Sequence, residues 1–379
     1  MNKIFEKGGK LYWLHSTIDA FETFLRVPNT VSVKGAHLRD AVDLKRIMII
    51  AVIAVLPAAV FGMWNVGYQH SLALGVGGAH ILANFWYGLL KTLPLFVVSY
   101  LVGLGIEFAS SQIRGEEVNE GYLVSGMLIP LIVPVDVPLW MLAIAVAFSV
   151  IFVKEVLGGT GMNIWNPALV ARAFLFFSYP NQMSGSEVWI AMRKGETMID
   201  GATGATPITF IGDGIDALTG AGVQYGTSFW TMFWGGIPGS VGETSVIAIL
   251  LGAAILIFTG VASWKIMASS VAGALFVGFI ATATGISDIP CWYHLVMGGF
   301  AFGTVFMATD PVTSCQTERG KWIYGFLIGA LCIIIRLWNP GYAEGMMLAI
   351  LLGNTFAPLI DHYVVNGRIA RRNKQVKTA

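Results

Sequence analysis

Residues 46–66 read RIMIIAVIAVLPAAVFGMWNV, a run of 21 residues whose only charge is the arginine at its start. A helix needs about 20 apolar residues to cross the hydrocarbon core of a bilayer, so this run predicts a membrane-spanning helix. Further runs of this kind follow along the chain, some of them short and interrupted by proline or glycine. The ten predicted spans lie near residues 46–66, 86–108, 121–134, 138–157, 165–178, 244–262, 264–285, 292–309, 321–338 and 345–363.

Composition supports the same fold class. Of the 379 residues, 55% are hydrophobic and 12% are charged, and the mean hydropathy is +0.70. Soluble domains carry about twice that charged fraction, so the chain is predicted to be an all-α polytopic membrane protein. The net charge of +1 gives no reason to expect a nucleic-acid partner. The three cysteines lack Cys-x-x-Cys spacing, which argues against a complete iron–sulfur ligand set from this chain.

The placement of lysine and arginine predicts how the spans are oriented. With the N-terminus in the cytosol, the arm 1–45 with the adjoining Arg46, the inner loops with the span ends beside them and the basic tail 364–379 together hold 17 of these cations. The outer loops hold only Arg193 and Lys194. Both termini are therefore predicted to be cytosolic. The long loop 179–243 is predicted to lie on the outer face.

Two short strings recur at almost the same offset and indicate an internal repeat. The string YLVSG at residues 122–126 returns as HLVMG at 294–298, and WNP at 165–167 returns at 338–340, at offsets of 172 and 173 residues. The repeat predicts two halves of five spans, residues 46–178 and 244–363. Because each half has an odd number of spans, the halves are predicted to be inverted relative to each other, as in many transporters.

The outer loop 179–243 contains the octet DGATGATP at residues 200–207. Gly204 and Ala205 are small and leave the hydroxyl of Thr206 uncrowded, and glycines permit backbone conformations that other residues resist. An exposed hydroxyl on such a turn is a suitable acceptor for a modifying enzyme. A surface turn rich in glycine and threonine explains the same residues without any modification.

The octet is similar to the flavinylation signature Asp-Gly-x-Ser/Thr-Gly-Ala-Thr, in which FMN is linked through its phosphate to the last threonine. The match includes Asp200, Thr203, Gly204 and Ala205, and it places the acceptor at Thr206; Thr203 stands where serine is commoner. Over essentially the whole chain, the sequence resembles the B subunits of sodium-translocating NADH:quinone oxidoreductases. The strings that carry this resemblance are EVNEGY (117–122), GGTGMN (158–163), NPALVARAFLFF (166–177) and FMATDPVTS (306–314).

The resemblance implies a covalent FMN on Thr206, a non-covalent riboflavin within the spans and quinone reduction near the cytosolic face, bordered by the arm and by Glu120 and Gly121. It implies a complex of six subunits in a bacterial inner membrane, where other chains bind NADH and a periplasmic flavin transferase modifies Thr206. Electrons pass in this scheme from FMN through riboflavin to quinone, coupled to Na⁺ export. No residue of this chain is predicted to be catalytic in its own right.

Asn166 and Arg172 lie in the fifth predicted span. Asn166 precedes Pro167, as Asn339 precedes Pro340, and this pair is typical of a capped helix start. The N-terminus of such a helix also attracts anions or polar flavin oxygens. An arginine inside an apolar span costs about 2.5–3.5 kcal/mol at the centre. Arg172 is therefore interpreted either as a partner of a carbonyl group at a broken helix or as a clamp on flavin phosphate or ring oxygens.

Three acids fall near the cytosolic ends of spans: Glu120, Asp310 and Asp361. The resemblance implies effects on Na⁺ coupling at these positions, and carboxylates beside carbonyl groups ligate Na⁺ or relay protons. Solvated acids at a membrane boundary explain the same placement. Lys154 and its neighbour Glu155 are predicted to pair at the end of their span.

Two alternatives remain open at this point. The D subunit of the Rnf ferredoxin:NAD complex shares the flavinylated threonine, although the string at residues 166–177 and the long arm favour the reductase. The inverted repeat alone also fits a solute channel similar to urea channels, which would conduct its solute without any flavin.

Overall fold

The structure is a computed structural model, and it describes residues 34–35, 44–77, 80–114, 121–185, 188–193, 195–220, 225–339, 341 and 344–378. Glu120 and nearly all of the arm 1–45 lie outside these residues. Every regular element of the described residues is helical. The α-helices are α1 (Leu44–Ala73), α2 (Ile81–Arg114), α3 (Tyr122–Ile132), α4 (Leu139–Ser149), α5 (Pro167–Ser178), α6 (Pro180–Met183), α7 (Gly214–Gly220), α8 (Phe229–Trp234), α9 (Val246–Phe258), α10 (Trp264–Ala283), α11 (Tyr293–Val296), α12 (Phe300–Phe302), α13 (Glu318–Trp338) and α14 (Met346–Thr378).

Five of the described helices, α1, α2, α10, α13 and α14, are long and apolar enough to cross a membrane. Three shorter apolar helices, α3, α5 and α9, accompany them. The prediction of an all-helical, multi-pass membrane protein is therefore confirmed. The count of ten spans and their inverted arrangement stay predictions.

Two helices change pitch near their ends. The helix α4 continues as a π-helix at Val150–Glu155, and α12 continues as a π-helix at Gly303–Met307. A π-helix inserts an extra residue into a turn and is frequently found at functional sites. In this structure each π-helix carries one side chain, Lys154 or Phe306, to the wall of the same cavity.

Asn339 closes the helix that precedes it, and Pro340 lies outside the described residues, so a helix start at this pair stays a prediction. Asn339 is the residue after α13, and its N–H donates to the carbonyl oxygen of Ile335 at 2.9 Å, which closes that helix. Gly341 lies in a 3₁₀ turn, and the next α-helix of the described residues begins at Met346. The helix α13 reaches Trp338 because Arg336, in its last turn, is held by carbonyl groups of the α11 segment. At Asn166 the same prediction is confirmed, since its side-chain oxygen accepts from the N–H of Ala168 at 3.0 Å.

Glycines let the long helices approach closely. A Cβ atom at Gly88 on α2 would overlap the carbonyl oxygen of Met63 on α1, and one at Gly329 on α13 would overlap the carbonyl oxygen of Ser270 on α10. Small residues allow such backbone contact between membrane helices, where van der Waals packing drives association. These contacts fix the helices that carry the site.

Gly88→Ala is expected to lower the thermal unfolding midpoint of the protein in detergent. Overpacking of this kind costs typically about 1–3 kcal/mol, because α1 and α2 must move apart. The matched control is Gly105→Ala on the same helix, where a Cβ atom would meet nothing within 4 Å. Alanine favours a helix over glycine by about 1 kcal/mol, so this control is expected to be neutral or stabilising. Equal effects of the two variants would contradict the packing argument.

Candidate functional site

Thr206 lies on the wall of a cavity of about 580 Å³, which we call the Thr206 cavity. Its wall is built from α5, the 3₁₀ turn Pro207–Asp213, the segment before α9, and the end of α13. The volume is within the range of about 300–1,000 Å³ that is usual for sites of small molecules and cofactors. The two halves of the chain therefore contribute to one cavity beside the predicted acceptor.

The octet forms a compact turn that presents Thr206. Gly201 has a φ of +87°, a conformation that favours glycine. The N–H of Ala205 donates to the hydroxyl of Thr203 at 3.1 Å, and Tyr225 donates its hydroxyl to the carbonyl oxygen of Ala205. Gly204 and Ala205 are buried and Thr206 is half-buried. Of the five octet residues predicted to bind the cofactor (Asp200, Thr203, Gly204, Ala205 and Thr206), only Thr206 lines the cavity; the others hold or flank the turn.

The side chain of Thr206 is not used to cap a helix. Thr206 precedes the 3₁₀ turn, and its hydroxyl makes no capping hydrogen bond. Its backbone carbonyl accepts from the N–H of Thr209 at 3.0 Å, which starts the turn. The Thr206 hydroxyl is therefore available for chemistry without loss of the local structure.

A buried group of charges forms another wall of the Thr206 cavity. Arg172 donates to the carboxylate of Glu243 at 2.5 Å, and its second terminal nitrogen lies 3.9 Å from the carboxylate of Glu344. Glu344 also accepts from the N–H of Gly299 at 2.5 Å. The residue predicted as a clamp thus lines the cavity together with Thr206, and it is paired with two acids that the sequence reasoning missed.

A second arginine has the role that was considered for Arg172. Arg336 donates to the carbonyl oxygens of His294 at 2.6 Å, Met297 at 2.9 Å and Glu344 at 3.2 Å. His294 and Met297 flank the end of the broken helix α11, where carbonyl groups lack helical partners. Arg336 therefore holds a broken helix and brings a positive charge to the cavity wall.

Burial raises the pKa of Glu243, and the nearby carboxylate of Glu344 raises it further, while the guanidinium of Arg172 opposes the shift. The hydroxyl of Thr244 also lines the cavity, and it is buried without a hydrogen-bond partner. An unpaired buried hydroxyl is costly unless a bound group completes it. The cavity thus offers the hydroxyl of Thr206, two arginines accompanied by two acids, and the unused hydroxyl of Thr244. The hydroxyl and arginine donors would fit an anionic, ring-bearing cofactor such as FMN.

Asn166 lies on the wall of a separate cavity of about 90 Å³, which we call the Asn166 cavity. The amide of Asn166 donates to the carboxylate of Asp310 at 3.1 Å, and Gly121 lines the same cavity. Three predicted site residues from distant parts of the chain therefore meet here, away from Thr206. The volume is well below the roughly 300 Å³ at which cofactor sites begin, so a riboflavin does not fit this cavity as it stands.

Asp310 and Asp361, the two described acids that were predicted to affect Na⁺ coupling, both accept hydrogen bonds. Besides Asn166, Asp310 accepts from the N–H of Val312 at 3.0 Å and the hydroxyl of Thr313 at 3.2 Å. These bonds oppose the rise in the pKa of Asp310 that its removal from water causes. Asp361 accepts from the N–H groups of Gln316 and Thr317, at 2.7 and 3.0 Å, beside the start of α13.

Within the part of the chain that the structure describes, no group of three or more His, Cys, Asp or Glu residues is arranged to hold a metal ion. Glu120 lies outside the described residues, so its relation to Asp310 stays a prediction. A role for Asp310 and Asp361 in Na⁺ coupling likewise stays a prediction.

The predicted pair of Lys154 with Glu155 is wrong. Lys154 contacts the carboxylate of Glu107 on α2, whereas Glu155 accepts from the hydroxyl of Ser110 at 2.5 Å and lies 3.4 Å from Arg114. Adjacent residues on a helix do not face each other, so Lys154 and Glu155 contact different residues of α2.

Comparison with known proteins identifies a family and close relatives of this chain. A model of the NQR2, RnfD, RnfE family matches residues 31–370. The chain is 45% identical to the B subunit of the Na(+)-translocating NADH-quinone reductase of Chromohalobacter salexigens, over 98% of this chain and 94% of the relative. It is 43% identical to the protein of that name from Azotobacter vinelandii, over 97% and 96% of the two chains.

Proposed function

The chain belongs to the NQR2, RnfD, RnfE family, and we propose that it is the membrane subunit of a sodium-translocating NADH:quinone reductase that carries a covalent FMN on Thr206. The observation that carries the proposal is the half-buried Thr206 on the wall of a cavity of about 580 Å³ that two arginines also line. The relatives that match nearly the full chain are named as the B subunit of that reductase. Their name favours this assignment over the D subunit of an Rnf complex.

When bound, FMN supplies the electron transfer, and the chain supplies position and charge. Thr206 forms the phosphodiester, so the flavin stays at high local concentration in every redox state. Arg336, which is held by neutral carbonyl groups, would bring positive charge to the wall, where an anionic phosphate or a reduced ring would be stabilised, and Arg172 would act there together with its paired acids. Thr244 offers its unpaired hydroxyl to a polar edge of the ring.

The wider scheme follows the family. Ten spans in two inverted halves cross the bacterial inner membrane, with both termini in the cytosol and Thr206 on the outer side, where a flavin transferase acts. The chain assembles with five other subunits, and electrons continue through riboflavin to a quinone near Gly121, coupled to Na⁺ export. Riboflavin does not fit the Asn166 cavity as it stands, so the roles assigned to this chain's residues do not depend on riboflavin.

A solute channel is the competing function, since an inverted repeat also serves channels. It predicts solute flux through liposomes and an unmodified Thr206. The Thr206 cavity presents the hydroxyl of the predicted acceptor beside Arg336, and the passage of a neutral solute would use neither group.

Mass spectrometry of the Thr206 peptide tests the proposal. In protein purified from cells with an active flavin transferase, the peptide is expected to gain the mass of an FMN phosphodiester. The denatured protein is expected to run as a fluorescent band on a gel. A bare Thr206 peptide from a complex that still reduces quinone would refute the covalent FMN.

A further inference from the structure

A buried ion pair outside the Thr206 cavity has no part in the function described so far. Lys154, on the π-helix that follows α4, contacts the carboxylate of Glu107 on α2, and each residue is only 3% exposed. The second carboxylate oxygen of Glu107 is buried and has no hydrogen-bond partner. Removing two charges from water is expensive even when they are paired. Ionisable residues in membrane segments commonly mark ion or proton pathways, so the pair is a candidate for such a role.

The pair is connected to the region proposed for quinone. Lys154 and Gly121 both line the Asn166 cavity, as do Asn166 and Asp310. The cavity holds about 90 Å³, which is room for about three water molecules at roughly 30 Å³ each. Its wall includes the hydroxyl of Thr160, which is buried without a partner. Most of the wall is apolar, but Lys154, Asn166 and Asp310 add polar partners to the Thr160 hydroxyl, and a water molecule needs two to four such partners. Water bound there would conduct protons between groups that do not touch.

The other charged groups near the pair have partners of their own, so Glu107 is the carboxylate that pairs with Lys154. Glu155, the next residue, is engaged by Ser110 and Arg114. The ring of Tyr122 on α3 lies beneath the lysine, with its centroid 6.0 Å from the amino nitrogen. Asp310, which also lines the cavity, accepts three hydrogen bonds of its own. The helices α1 and α9 contribute apolar side chains to this wall.

We propose that the Lys154–Glu107 pair donates the protons that quinone reduction consumes. The inference rests on the proposed function, which supplies the electrons: a quinone takes up two electrons and two protons to become a quinol. Protonated Lys154 gives a proton through the water of the Asn166 cavity to the reduced quinone oxygen. Glu107 stabilises the charged form of Lys154. After the first transfer, a proton from the cytosol protonates Lys154 again, and the second transfer follows.

The decisive variant removes both charges, Lys154→Met with Glu107→Leu, and is tested in the assembled complex. Replacing a buried ion pair by apolar residues is often neutral for stability, so the complex is expected to assemble with its covalent FMN. Quinol formation from NADH is expected to slow about 100-fold, as when a general acid is lost. The residual rate is expected to fall further as the pH rises, because the protons then come from solvent. Electron transfer from NADH to ferricyanide, which needs no proton, is expected to stay at the wild-type rate.

The matched control is Lys91→Met with Asp136→Leu. This pair is joined at 3.0 Å, also involves α2, and is partly exposed. The control is expected to form quinol at the wild-type rate. A double variant of Lys154 and Glu107 with the wild-type rate and pH profile would show that the pair is only structural and overturn the proposal. A wild-type complex that reduces ferricyanide but no quinone would instead refute the proposed function, on which the inference rests.

Discussion

Thr206→Val is expected to give a complex without covalent flavin in which quinol formation falls by roughly 100-fold or more. Valine has the shape of threonine but no hydroxyl, so no phosphodiester forms. A tether raises the local concentration of a bound group by a large factor, and its loss lowers occupancy accordingly. The measurements are gel fluorescence, the mass of the Thr206 peptide and NADH-driven quinone reduction.

The fold is expected to survive Thr206→Val, because the Thr206 hydroxyl caps no helix. The backbone at Thr206, with φ of −82° and ψ of 156°, is extended and suits a β-branched residue. Thr209→Val is the matched control, since Thr209 lines the same cavity and is exposed. It is expected to keep the flavin, and Thr206→Ser is expected to restore it in part. A fluorescent band from Thr206→Val would show that the flavin is attached to another residue.

The general fold and the hypothesis that Thr206 is an acceptor came from the sequence for different reasons. An apolar run of about 20 residues is long enough to span a bilayer, so composition and length alone predicted the spans near 46–66 and 86–108. The structure has helices over residues 44–73 and 81–114. The octet at 200–207 was informative through its likeness to a known signature, because a turn with small residues has no chemistry that spacing alone reveals. The structure adds the cavity that Thr206 lines.

The ion pairs between residues far apart in the sequence could not be predicted from the sequence. Arg172 meets Glu243, 71 residues away, and Lys154 meets Glu107, 47 residues away. No local pattern links such positions, because the contact depends on how the helices pack. The only available signal was that an arginine inside an apolar run needs a partner.

The end of α13 at Asn339 also depends on contacts between distant residues. An asparagine followed by proline favours a helix start on local grounds, as it does at Asn166. At Asn339 the preceding helix α13 extends to Trp338, because Arg336 is held by three carbonyl groups outside α13. Tertiary contacts therefore decided where this helix ends, and local capping preference did not.

Arg172→Met is expected to destabilise the complex by about 3–5 kcal/mol, the usual loss when one partner of a buried pair is removed. Glu243 would remain buried near Glu344 without its guanidinium, and the two carboxylates repel each other. The measurement is the midpoint of thermal or denaturant unfolding of the purified complex. Arg193→Met is the control: Arg193 lies in the loop 179–243 over the ring of Tyr87 at 5.2 Å, a contact worth about 0.5–1 kcal/mol when exposed.

The double variant Arg172→Met with Glu243→Leu separates stability from flavin binding. Removing both charges is expected to restore most of the lost stability, because no acid is left without its main partner. If Arg172 lies nearer to the flavin than Glu243 does, its loss outweighs that of the acid, and this stable variant still carries FMN on Thr206 but shows a lowered flavin reduction potential and slower quinol formation. A double variant with the wild-type potential and rate would confine Arg172 to a structural role and leave Arg336 as the arginine that acts on the flavin.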